Sequence, residues 1–114
     1  MARRAVAVTR ASEEALRLLG IQIRQARHLR RWTQTDLASR IGITQKTMHA
    51  IETGQPTVAI GSVFNAAFTV GVNLFGLEGP DLVRARRQGE ETLALLPAQV
   101  RKPVTRDGAD DFAF

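Results

Sequence analysis

Three successive side chains offer the clearest chemistry in this sequence. Gln45 carries an amide that can both donate and accept, Lys46 adds a positive charge, and Thr47 adds a hydroxyl and a methyl group. An amide can pair in bidentate fashion with adenine, lysine can reach guanine acceptors or a phosphate, and the threonine methyl can touch a thymine methyl. We therefore expect these residues to face base edges in a DNA groove.

Residues beside this set are suited to the DNA backbone. Thr44 and His49 flank it on either side, and we expect both to lie toward the phosphates. Gln34 opens the preceding helix, where its side chain and free backbone N–H groups can hold a phosphate. Arg40 is better suited to a phosphate or to solvent than to a base. We thus predict DNA contacts at all four positions.

Two short helices must position these side chains. Thr33 is a suitable N-cap, with Asp36 three residues later to complete a capping box. Gly42 comes where that helix must end, because glycine adopts the left-handed conformation at low cost. Thr44 caps a second helix, which Gly54 ends. The spacing predicts a helix-turn-helix.

An ordinary pair of core helices with a solvated face is the alternative. It accounts equally well for the apolar positions, which are Leu37, Ala38, Ile41, Met48 and Ile51. It does not explain why two glycine-terminated helices, each opened by glutamine, follow each other so closely. We therefore favour DNA reading.

Residues 19–74 resemble the Xre/Cro/lambda-repressor-type DNA-binding domain. The segments that carry the resemblance are LGIQIRQAR, WTQTDLASRIGI, TQKTMHAIETG and FNAAFTVGVNL. The resemblance implies a lambda-repressor-like fold in which Gln34 contacts a phosphate and braces the base-reading Gln45, with Lys46 as the next base-reading position. We expect a homodimer on double-stranded DNA, bound to an inverted-repeat operator.

The pattern along the chain predicts an all-α fold with five helices. The first helix is expected from Ser12 to about Arg31, the fourth over about 60–70, and the fifth over about 81–96. The predicted segments are 1–11 as a flexible N-terminal arm, 12–96 as the helix-turn-helix domain, and 97–114 as a disordered acidic-aromatic tail.

Two further features concern the fold and its assembly. Arg27 and Glu52 match positions that form a partly buried ion pair in repressors of this family, and we favour that pair over two solvated charges worth well under ~1 kcal/mol. The fourth helix is apolar nearly all round. Phe64, Phe68 and Phe75 lie in this helix or shortly after it. They are expected to pack either against a dimer partner or against the fifth helix, and both alternatives remain open.

The last residues suggest a protein partner. Asp110 and Asp111 precede Phe112 and Phe114, a pattern suited to docking with aromatic anchors. Small Xre-type proteins with such a tail resemble the HipB-like antitoxins encoded beside HipA-type kinase toxins. That resemblance implies a repressor that autoregulates its operon and binds the toxin. The alternative is a stand-alone phage or chromosomal repressor without a toxin partner.

Composition narrows the class of protein. The net charge is +5 and the isoelectric point about 11.2, which fits a polyanionic partner. Residues 1–57 hold ten basic and four acidic residues, so the positive charge lies in the half with the helix-turn-helix. The absence of cysteine suits a reducing cytoplasm.

The sequence shows no catalytic motif, no metal-ligand spacing and no cofactor fingerprint, so we predict a protein that is not an enzyme. No membrane-spanning segment is expected either, and we predict a cytoplasmic protein.

Overall fold

The computed structural model describes residues 7–103, and this part of the chain is all-α with five helices, as the sequence predicted. The helices are α1 (Arg10–Leu29), α2 (Gln34–Ile41), α3 (Gln45–Glu52), α4 (Ile60–Thr69) and α5 (Gly79–Ala94). Within 7–103 the only β pairing is an isolated bridge between Leu74 and Leu77. The tail residues Asp110, Asp111, Phe112 and Phe114 lie outside the described range.

Two helix starts differ from the sequence-based bounds. α1 begins at Arg10 because Thr9 is its N-cap, and the Thr9 hydroxyl accepts a hydrogen bond from the Ser12 backbone N–H at 3.1 Å. Ser12 therefore lies inside the helix, although its side chain could also have capped one. α5 begins at Gly79 and carries Pro80 in its first turn, where the missing N–H of proline needs no acceptor.

Chain contacts divide the protein into two compact units, with the boundary in the sequence between Leu77 and Glu78. The first unit holds α1 to α4, in which α3 packs on α1 and α2, and α2 also packs on α4. Its buried core consists of Ile23, Leu37, Ala38, Met48, Ile51, Ala66, Ala67 and Val70. Burial of a large side chain such as Leu37 or Met48 contributes about 1.5–3 kcal/mol.

Two glycines allow the close packing of α3. A Cβ atom on Gly20 of α1 would lie only 2.5 Å from the carbonyl oxygen of Glu52, so the two backbones touch there. Gly42 ends α2 with a φ of 74°, a left-handed conformation that turns the chain directly into α3. The position of α3 therefore depends on backbone contact as well as on its apolar face.

The second unit contains α5 within its described part. Surface ion pairs join Arg84 to Asp81 and Arg86 to Glu90, spaced three and four residues apart along the helix. Such pairs stabilise an exposed helix by a few tenths of a kcal/mol, ~0.2–0.5 each.

Candidate nucleic-acid interface

α3 presents most of its polar residues to solvent, whereas Met48, Ile51 and the final Glu52 are buried. The Thr44 hydroxyl caps the helix by accepting from the Thr47 backbone N–H at 3.1 Å. Gln45, Lys46 and His49 are exposed, whereas Thr47 is half-buried. The helix thus displays the residues predicted to read DNA on one accessible face.

A hydrogen bond connects the two helices of the motif at their first residues. The Nε2 group of Gln45 donates to Oε1 of Gln34 at 2.6 Å. Gln34 is the first residue of α2, so its own backbone N–H and that of Thr35 have no acceptor within the helix. The structure therefore brings Gln34 and Gln45 together beside free backbone donors. Their contacts with DNA stay a prediction.

A buried ion pair lies behind this surface. Arg27 donates from Nε to Oε2 of Glu52 at 2.7 Å and from Nη2 to Oε1 at 2.9 Å. Its Nη1 donates to the backbone carbonyl of Trp32 at 2.7 Å. The Arg27 and Glu52 side chains are only 7% and 1% exposed. This bidentate pair ties α1 to the last residue of α3.

Gln34 joins the ion pair to the exposed surface. Its Nε2 group donates to Oε1 of Glu52 at 3.2 Å and lies 3.4 Å from Nδ1 of His49. A continuous network therefore extends from Arg27 through Glu52 and Gln34 to Gln45. The Gln45 amide nitrogen is therefore tied through Gln34 to a buried carboxylate, which restricts its orientation.

The network keeps both buried groups charged. Burial raises the pKa of Glu52, but hydrogen bonds from Arg27 and Gln34, with the positive charges of Arg27 and Arg24, hold that pKa below its ordinary value. The hydrogen bond with Glu52 raises the pKa of Arg27 despite the opposing effect of desolvation. The carboxylate therefore stays ionised and compensated close to the interface.

A groove of about 710 Å³ lies over this network, between α1, α2 and α3. The residues predicted from the sequence that line it are Gln34, Gln45, His49, Arg27 and Glu52. Arg24, His28 and Thr35 also line it. Sequence reasoning missed these three, although the spacing of Arg24, Arg27 and His28 puts them on one face of α1.

Arg40 occupies a different part of the first unit. Its guanidinium lies over the Trp32 ring at 4.0 Å from the ring centroid, and that of Arg30 lies 5.3 Å from it. The indole itself packs against the core. Arg40 is not among the groove-lining residues, so the structure does not bring it together with Gln34.

Two other kinds of site are absent from the described residues. Between residues 7 and 103, no helix combines the length and apolar character needed to cross a bilayer. In the same range, no three His, Cys, Asp or Glu side chains are grouped so that they could hold a metal ion.

Comparison with known families agrees with this geometry. Residues 18–70 match the model of a family described as a helix-turn-helix domain. No curated protein and no solved structure matches the chain. The matched segment runs from within α1 to Val70, directly after α4, and therefore includes both α2 and α3. A helix-turn-helix domain implies a DNA-binding transcriptional regulator.

Proposed function

We propose that this protein is a sequence-specific transcriptional repressor that binds an inverted-repeat operator as a homodimer. The orientation of the Gln45 amide is the observation that carries the proposal. It is exposed at the start of α3, yet it is held by Gln34, which is itself held by the buried Glu52. An amide fixed in this way pairs with adenine at a smaller entropic cost than a freely rotating one.

In the proposed complex, α3 lies in the major groove with Gln45 and Lys46 at the base edges. Gln34 and the free N–H groups at the start of α2 then face a phosphate. Thr44 and His49 lie beside the base-reading residues and complete the backbone contacts. The phosphate contacts set the register of the protein, and the base contacts set its sequence preference.

An aromatic cluster at one end of α4 supports the proposed homodimer. Phe64 packs edge-to-face against Phe68 and Phe75, with ring centroids 6.5 and 6.4 Å apart. Phe68 is 45% exposed and Phe75 77% exposed, and Phe75 adopts a φ of 58° that a bulky residue rarely takes. Exposed aromatic clusters on strained turns are typical of interaction surfaces. In a symmetric dimer, each chain would bury this cluster against the same cluster of its partner.

Dimerisation has a direct test. Phe75→Asn removes the ring, while asparagine tolerates the positive φ. Sedimentation should show a shift from dimer to monomer for this variant, and operator binding should weaken with it. Leu29→Asn, which changes another highly exposed apolar residue, is the control and should leave the dimer intact. An unaltered dimer in Phe75→Asn would place the interface elsewhere.

Operator binding is tested by selection from a random double-stranded DNA library with the full chain. We expect an inverted repeat whose half-sites lie about 34 Å apart, one helical turn. A protein with both Gln45→Ala and Lys46→Ala should enrich no such repeat under the same conditions. Uniform recovery of all sequences by the unaltered chain would refute the proposal.

A second candidate function adds a protein partner to the same DNA-binding activity. We propose that the chain is an antitoxin of a HipA-type toxin–antitoxin operon, which it represses while it binds the kinase toxin. Three aspartates and two phenylalanines within residues 107–114 favour this candidate, because the acidic groups oppose DNA binding while the rings need an apolar pocket.

Truncation separates the two candidates. A chain ending at Arg106 should bind the operator as well as the full chain or slightly better, yet capture a co-encoded kinase-like protein more weakly. If the shortened chain neutralises that protein equally well, the docking role of the tail is lost. If no kinase-like gene adjoins this one, the stand-alone repressor is favoured.

A further inference from the structure

We propose that α1 adds a second set of DNA backbone contacts, made by Arg24 and His28. This inference rests on the proposed DNA-binding function and concerns which residues hold the phosphates. Both side chains are exposed, and they lie one helical turn apart on the same face of α1. They line the same groove as Gln34 and Gln45.

The charge of Arg24 is available to a ligand. Within residues 7–103, no carboxylate lies within 4.0 Å of its guanidinium, whereas Arg17 on the same helix is paired with Glu13 at 2.8 Å. Arg24 is nevertheless close enough to Glu52 for its charge to lower the pKa of that carboxyl. Glu52 already has a bidentate partner in Arg27, so Arg24 is not needed to neutralise it.

The groove is suited to an anionic ligand for this reason. Its one buried carboxylate is compensated by Arg27, and several of the other groups around it can donate hydrogen bonds. These donors are the Arg24 guanidinium, the His28 imidazole, the Thr35 hydroxyl and the first backbone N–H groups of α2. A DNA phosphate offers only acceptors and negative charge, so it complements this set. We assign the groove to a phosphate beside the bases read by α3.

The test measures operator affinity as a function of salt concentration. Each charged phosphate contact adds about 0.9 to the slope of log K against log salt. The proposed homodimer carries two Arg24 side chains, so between 50 and 200 mM salt the unaltered chain should lose about twelvefold more affinity than Arg24→Ala. Arg24→Lys should restore the slope, because it restores the charge. His28→Ala should lower operator affinity, because it removes a ring N–H that can donate to the phosphate.

Arg17→Ala is the matched control, because it removes the same charge from the same helix outside the groove. Thermal melts should show that Arg24→Ala folds normally, as its side chain is exposed. Equal slopes for Arg24→Ala and the unaltered chain, or equal slope losses for Arg24→Ala and Arg17→Ala, would overturn the assignment.

Loss of sequence discrimination in Gln45→Ala would in either case leave the proposed function standing. If the unaltered chain bound all sequences equally, the proposed repressor function would fail, while a slope change in Arg24→Ala would still support the phosphate contact.

Discussion

Gln34 and Glu52 are joined by a hydrogen bond of 3.2 Å between the amide Nε2 and the carboxylate Oε1. Glu52 is buried and bound to α1, whereas Gln34 reaches the surface and accepts from Gln45. Through this one bond, the buried ion pair and the amide that is proposed to face DNA belong to the same network. Substitutions at either end should be felt at the other.

Gln34→Ala should weaken binding to every DNA sequence, because it removes the side chain proposed to contact a phosphate. It should also relax discrimination at the base pair read by Gln45, since that amide loses its acceptor. Fluorescence anisotropy with operator and scrambled duplexes measures both effects. Gln25→Ala, an exposed glutamine on α1 outside the groove, should change neither.

Gln45→Ala and Lys46→Ala should each cost on the order of 1–3 kcal/mol on the operator and much less on unrelated DNA. The loss comes from hydrogen bonds to particular bases, so it should map to particular positions of the half-site. A set of duplexes with single base-pair changes, measured by gel shift, would locate those positions. Unchanged discrimination in both variants would mean that α3 does not read the sequence.

Arg27→Ala or Glu52→Ala should each destabilise the fold by about 3–5 kcal/mol, because each leaves one buried charge without its partner. The double variant should be more stable than the sum of the two losses predicts. Chemical unfolding of all four proteins completes the cycle. Glu13→Ala, which breaks a surface pair with Arg17, should cost less than ~1 kcal/mol. Losses of that small size at Arg27 and Glu52 would show that the pair is solvated.

Stability should also fall in acid, partly through Glu52. Its pKa is lower in the folded chain than the ordinary value of 4.5, so its stabilising effect is complete above pH 4.5. That effect is lost as the pH falls from 4.5 through the folded pKa, because the unfolded chain then takes up the proton first. Glu52→Gln should be less stable at neutral pH but lose less on acidification, as measured by melts between neutral and acidic pH. Parallel pH curves for both proteins would contradict this origin.

Gly20→Ala should destabilise the first unit by about 1–3 kcal/mol, because the added methyl would lie 2.5 Å from the Glu52 carbonyl oxygen. α3 must then move away from α1, so operator binding should weaken as well. Gly61→Ala in α4 is the matched control. A Cβ atom there meets nothing within 4 Å, and alanine should stabilise that helix by about 0.5–1 kcal/mol.

Local signals in the sequence predicted most of the first unit. Thr33, Gly42 and Thr44 mark helix ends through their own side chains and backbone preferences, so α2 and α3 were predicted within a residue of their observed bounds. The start of α1 was harder to predict, since Thr9 and Ser12 are equally good caps and only the folded chain chooses between them.

The partners of polar side chains could not be predicted in the same way. The stacking of Arg40 on Trp32 depends on the position that the indole takes after the turn that follows α1. No local sequence pattern predicts that position. Likewise, the sequence alone does not distinguish Arg24 from an ordinary solvated arginine, because the groove that it lines forms only when α3 packs against α1. Long-range geometry rather than residue type decides such roles.

Lys46 differs from its neighbour Gln45 in one respect. Within residues 7–103 its side chain makes no hydrogen bond and no ion pair, whereas that of Gln45 is part of a network reaching α1. Replacement of Lys46 therefore leaves the folded chain almost undisturbed. In the proposed complex, a change at position 46 therefore alters base contacts alone, whereas a change at position 45 also breaks the hydrogen bond with Gln34. Protein engineering that aims at a new operator should therefore begin at Lys46 and leave Gln45 unchanged.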